Sequence, residues 1–275
     1  VPGREEFRAR VEQLTSLLAA PDVVMRVRAT AERENHTATE LADEIGRDQG
    51  LSAKVLKLVN SGFFAFRQPI TTITHAMVLL GSDVVASLVV AAPVFDMFGP
   101  TGSASGLWTH SLATARCAGA IADVLGFEDP EELSLAGLLH DVGKVIIERE
   151  AADSARHIRE AVARDGGLVV DAERRLLGFD HAEVGGWLLG RWGLPRRLVT
   201  PVARHHSFDP AGTDAPRVAV VHIADVLASA AGRGDPGDAA LPAIDPRAWT
   251  LIGMTAKDAA AAFAEIGALA PREAA

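Results

Sequence analysis

Cysteine is almost absent: Cys117 is the only one, so no intrachain disulfide can form and a cysteine-based zinc site is excluded. Such usage fits a reducing compartment, and the cytoplasm is the expected location. No apolar run is long enough to span a bilayer; the longest, Val84 to Phe95, is interrupted by Pro93. The opening residues do not read as a secretory signal. Positive charge is not in excess. The net charge of −9 argues against nonspecific binding to nucleic acid or to an anionic membrane. Strand signals are scarce, limited to Val169-Val170 and Val218–Val221, and the second fits a buried helix equally well. There is no internal repeat and no low-complexity tract.

What is present is a chain of 275 residues, 48% hydrophobic and 23% charged, enough for one large domain or two modest ones. It opens on Val1 rather than Met, which leaves room for a longer natural protein. Helical spacing of apolar residues recurs: Phe7, Val11, Leu14, Leu17 and Leu18 in a first helix over 5–20, then a second from Pro21 towards Glu34. Thr37 and Glu40 form a capping-box pattern, and Leu51, Val55, Leu58 and Val59 share one face of the next segment. Gly81 stops the helix before it, and Ser82 can cap another over 83–97. Residues 99–103 (GPTGS) are the best break. The expectation is an all-α fold with an N-terminal helical lobe over 1–100 and a second helical lobe over 101–275, with the option of one shared core.

The chemistry gathers in the second lobe. In LSLAGLLHDVGK (133–144) an apolar run leads into adjacent His140 and Asp141, then Gly143 and Lys144. Both His and Asp are costly to bury unless paired or metal-bound, and a divalent metal satisfies the two together. A hydrogen-bonded pair holding a helix end is the competing explanation. His110 lies in a helix over 106–125, His181 follows a capping Asp180, His205-His206 is a tandem pair, and Asp225 sits in an apolar helix with His222 one turn before it. Asp225 needs a partner, either His222 or a metal. Five imidazoles and two carboxylates match two ions sharing a bridging carboxylate. Trp187 and Trp192 read as core. Phe63, Phe64 and Phe66 read as interlobe packing or a partner patch, and Lys54 and Lys57 as a solvated helix face.

The order His110, His140-Asp141, Asp225 resembles the metal signature of HD-superfamily phosphohydrolases. More closely, 40–64, 70–81, 108–115, 135–144 and 173–195, with the histidine pair after them, resemble the HDOD family of bacterial signalling domains. That resemblance implies an all-helical fold and a regulatory or protein-interaction role with a signalling partner. HDxGK at 140–144, His181, the tandem pair and Asp225 are also similar to the HD-GYP group, which hydrolyses cyclic di-GMP with a cluster of metals. Two features differ: the residues after His206 are SFDPAGTD, with no GYP tripeptide, and Gly106 stands one turn before His110 where a carboxylate would serve a third ion. Two ions are therefore expected.

Carried over residue by residue, Asp141 would bridge the ions. His110, His140 and Asp225 would complete one shell, and His181, His205 and His206 the other. Histidine-rich ligation favours Fe, Mn, Zn, Ni or Co over Mg. Asp141 and Lys144 are the catalytic candidates, with Lys144 facing a phosphate-ester or nucleotide ligand; a helix-dipole role is the alternative for the lysine. Two readings stay open: a regulatory module with a metal site, or a metal-dependent phosphohydrolase acting on a nucleotide or cyclic nucleotide.

Overall fold

The computed structural model describes residues 3–17, 22–31, 33, 35–64, 66, 68–95 and 103–269, and every regular element among them is a helix. Both candidate strand segments are helical: Val169-Val170 open a helix and Val218–Val221 lie inside one. The all-α expectation therefore holds. None of these helices is long and apolar enough to cross a membrane.

The first six are α1 (Arg4–Leu17), α2 (Asp22–Ala31), α3 (Ala38–Gly46), α4 (Gln49–Val59), α5 (Ile73–Leu80) and α6 (Ser82–Phe95). Their boundaries follow local chemistry. Thr37 and Glu40 make the expected reciprocal capping box, and Asp48 accepts the Leu51 N–H at 2.9 Å. Leu51, Val55, Leu58 and Val59 are all buried, as their spacing requires. Asn60 explains the LVNSGFF segment: its side chain donates to Ile70 O and accepts Ile70 N–H, at 2.8 and 2.7 Å, closing the loop into α5. Gly81 ends α5 at φ 82°, and Ser82 is already helical rather than a cap. The expected helix ends near 20, 34 and 97 and the 99–102 break fall outside the described residues, as do Leu18, Pro21 and the side chain of Leu17.

The remaining helices are α7 (Ser103–Leu125), α8 (Pro130–Leu139), α9 (Val142–Glu150), α10 (Ala152–Asp165), α11 (Val169–Leu177), α12 (His181–Arg191), α13 (Arg196–Arg204), α14 (Ala215–Ala230), α15 (Pro246–Leu251) and α16 (Ala256–Gly267). The central one, α7, packs against α8, α14 and α16. Small residues set that distance: a Cβ on Gly137 of α8 would lie 2.9 Å from Ala115 Cα and Thr114 O of α7. Buried residues on both sides of position 100 belong to one apolar core. In it α1 lies on α12, with Phe7 stacked on Phe179 at 5.0 Å and Phe179 against Trp187 at 5.5 Å. Phe63 is buried, and Trp187, Trp192, Phe64 and Phe66 are partly buried against the same core. Arg197 of α13 joins Glu132 of α8 to Asp83 of α6, at 2.7 and 2.8 Å, and so ties the early helices to the late ones.

Candidate metal centre

All seven predicted ligand residues meet between α7, α8, α9, α12, α13 and α14. They form two groups, Asp141–His181–His205–His206 and His110–His140–Asp225. Six of the seven side chains are buried, and His206 is half-buried. Asp141, at the junction of α8 and α9, faces both groups with different oxygens. Its Oδ2 lies 3.3 Å from His140 Nε2 and 3.9 Å from His110 Nε2; its Oδ1 lies 3.0 Å from His181 Nε2 and 3.9 Å from His205 Nε2. Asp225 Oδ1 lies 3.0 Å from His110 Nε2 and 3.7 Å from His140 Nε2. His206 Nε2 is 3.1 Å from His181 Nε2.

Backbone and carboxylate acceptors fix the imidazole tautomers. His140 Nδ1–H donates to Gly137 O at 2.7 Å, and His205 Nδ1–H donates to Val202 O at 2.8 Å. A carbonyl can only accept, so each Nδ1 carries the proton and each Nε2 presents a lone pair. His181 Nδ1–H donates to Glu173 Oε2 at 2.6 Å, and the His181 backbone N–H donates to the same oxygen at 2.9 Å. Three lone pairs thus aim at carboxylate oxygens that can only accept. His140 Nε2, Asp141 Oδ1 and His205 Nε2 are accordingly buried with no hydrogen-bond partner. A cation between them removes the conflict, and the donor set of imidazole and carboxylate suits a divalent transition metal.

Without a metal, protons take that role. Burial alone would push His140 and His181 down. The Asp141 and Asp225 carboxylates raise His140 to about 9, and Glu173 and Asp141 raise His181 to about 10. Burial and the neighbouring imidazolium charges push His205 down to about 3, and hold His206 well below its ordinary value. Burial would raise Asp141, but His140, Lys144 and His181 hold it well below the usual carboxylate range. Hydrogen bonds from His110 and His140 outweigh burial in the same way at Asp225.

Lys144 and His222 take roles set by distant backbone. Lys144 lies in the first turn of α9, where the helix presents its positive end, so the dipole disfavours the charge rather than supporting it. It is held instead by Asp141 Oδ2 at 2.8 Å and Pro236 O at 3.0 Å. His222 is not the partner of Asp225. Its Nδ1–H donates to His205 O, and its Nε2 accepts the Asp245 N–H. Glu173, 2% exposed, escaped the sequence reading because its neighbours Arg174 and Arg175 make it look like part of a solvated helix face. Its position eight residues before His181, across a Gly-Phe-Asp turn, was the available signal. Glu173→Gln is expected to weaken metal binding by about 10- to 100-fold while leaving the fold intact. Competition titration with a chromogenic chelator measures this, and wild-type affinity would make Glu173 a packing residue.

The HDOD domain family matches residues 17–208. Among solved structures, an HDOD domain protein of unknown function from Geobacter sulfurreducens is 29% identical with a TM-score of 0.68, over 91% of this chain and 92% of that one. An uncharacterized protein from Treponema pallidum is 22% identical over 217 residues, 75% of this chain and 42% of its own length. Ribonuclease Y from Aquifex aeolicus is 30% identical over 121 residues, 44% of this chain and 16% of its own length. The chain thus spans less than half the length of either relative.

Proposed function

Because this chain belongs to the HDOD family, we propose that it is a signalling module built around a dinuclear metal centre, with a protein partner reading its state. The observation that carries the metal reading is the set of buried Nε2 lone pairs on His140, His181 and His205 aimed at carboxylate oxygens. In this reading Asp141, whose two oxygens face the two groups, would serve both ions. His110, His140 and Asp225 would hold one ion, and His181, His205 and His206 the other. The carbonyls of Gly137 and Val202 and the carboxylate of Glu173 orient the rings.

A second reading, hydrolysis of a phosphate ester, is favoured by the 121-residue similarity to Ribonuclease Y. Two divalent ions, when bound, supply a Lewis-acid clamp for phosphoryl oxygens and lower the pKa of a water. Two aspartates do not neutralise two such ions, so the centre keeps a surplus that suits a phosphodiester anion. Lys144 adds positive charge: Asp141 raises its pKa against burial and keeps it protonated.

Elemental analysis of tag-free protein, purified in reducing buffer with transition metals present, tests the metal reading. About two equivalents are expected, and Asp141→Ala should lose both because it serves both ions. Full metal content in Asp141→Ala would defeat the assignment. If the wild type holds two equivalents, hydrolysis of bis-p-nitrophenyl phosphate separates an enzyme from a regulatory centre.

A further inference from the structure

Between α14 and α15 the chain runs from Gly232 to Asp245 without regular structure. Loops of that length inside a compact fold are uncommon and are usually functional. This one is tied down across the candidate centre. The Asp235 N–H donates to Gly106 O at 3.0 Å, on the turn of α7 just before His110. Pro236 O accepts from Lys144 Nζ at 3.0 Å, the same ammonium that donates to Asp141. Asp238 Oδ1 accepts the Val169 N–H at 2.6 Å, and the Ala239 N–H donates to Gly167 O at 3.0 Å, at the start of α11. The approach to α7 is close enough to require glycine. A Cβ on Gly234, at φ 78°, would lie 2.3 Å from both Gly106 O and His110 N. The crest carries Leu241, 61% exposed, an apolar side chain on a segment otherwise rich in Gly, Pro and Asp.

We propose that residues 232–245 are a lid over the dinuclear centre, closed in this structure, with Lys144 as its latch. The inference rests on the metal reading above and adds how the centre is reached. In the closed state the Pro236 carbonyl takes the Lys144 N–H that an anionic phosphate oxygen would otherwise accept. Opening frees that N–H and uncovers the face of the site between α7, α9 and α11. The segment's ties to the rest of the fold run through Arg233, Asp235, Pro236, Asp238, Ala239 and Asp245, and breaking the middle four releases it from the centre without unfolding the helices beneath it.

Asp238→Ala removes one of the two hydrogen bonds at the start of α11 and also a charge that acts on Lys144, Asp141 and Asp225. Asp238→Asn, which keeps the Oδ1 acceptor without the charge, is therefore the electrostatic control and should extract at the wild-type rate. The wild type and the Asp238→Ala variant, both loaded with Mn²⁺, are compared by elemental analysis, by the rate of metal extraction with excess EDTA, and by amide hydrogen exchange. About two equivalents in both proteins are expected, with extraction at least about tenfold faster in the variant and faster exchange at the Asp235 and Ala239 amides. Protection of α7 and α14 should be unchanged, which shows that the variant is folded. Gly234→Ala, which displaces the lid sterically rather than by losing an anchor, should accelerate extraction in the same direction. Two equivalents in each protein with faster amide exchange but equal extraction rates would overturn the lid and leave the metal reading standing. No metal in the wild type would overturn both.

Discussion

Loading the metal-free protein with a divalent metal at pH 7 is expected to release about two protons per chain, because two imidazoles that would each give a lone pair to an ion are protonated in its absence. His140 and His181 are the two, raised to about 9 and about 10 by the carboxylates around them. His205 and His206, pushed down, are already neutral and release nothing. Apparent affinity for the pair of ions should therefore fall by about 100-fold for each pH unit below 9, one factor of ten per displaced proton. Calorimetric titration in two buffers of different ionisation enthalpy measures the release; metal uptake without it would place the ions elsewhere.

The same groups give the metal-free protein its own pH profile. Raised imidazole pKa values contribute stability that is fully present below about 6.5 and is lost as pH rises through about 9 and 10. The depressed His205 and His206 act in the opposite direction, since the unfolded chain binds their protons first as pH falls below about 6.5. Asp141 and Asp225, held low, add a loss that begins only below about 4. The metal-free Tm should peak near pH 6.5 and fall towards pH 9, whereas the metal-loaded Tm at fixed free metal should stay level over that range, because the loaded folded chain and the unfolded chain both carry His140 and His181 without the extra proton. Parallel Tm profiles with and without metal would remove these histidines from the binding site.

How much of this was legible in the sequence depended on whether a signal was local. His140, Asp141 and Gly143 occupy one turn, so ligand and close approach are written in adjacent letters. The Thr37 capping box and the Asp180 cap are local for the same reason, and both form. His110 and Asp225 were found by motif order, and the structure brings them to 3.0 Å across 115 residues of chain. What escaped depends on backbone atoms far away in sequence. The carbonyls that orient His140 and His205 have no side-chain letter, and neither does the Pro236 carbonyl that holds Lys144. His222, one turn from Asp225, and a metal are equally open as its partner in the sequence, and the structure decides against His222, whose ring spans from His205 O to the Asp245 amide. The short valine runs at 169–170 and 218–221 are too brief to distinguish a strand from a buried helix, and helix packing decided both.

Gly143→Ala should be the most damaging single-methyl change in the site. A Cβ there would lie 1.9 Å from His181 O, 2.7 Å from His181 C and 2.9 Å from Gly185 N, all backbone atoms of α12. No side-chain rotation relieves such a contact, so α9 and α12 must separate, at a cost of about 3 kcal/mol or more. At about 2–4 °C per kcal/mol for a large domain, Tm should fall by about 10 °C. The separation acts directly on the centre, because α9 begins just after Asp141 and α12 begins with His181, which now face each other at 3.0 Å. Folded Gly143→Ala protein should therefore lose the ion assigned to His181, His205 and His206 before the one assigned to His110, His140 and Asp225. Gly178→Ala is the control: Gly178 caps α11 at φ 79° with nothing near its Cβ position, so that change should cost about 1 kcal/mol of backbone strain and spare the metal. A Gly143→Ala protein with wild-type Tm and two equivalents of metal would show that the α9–α12 contact does not hold the two halves of the centre together.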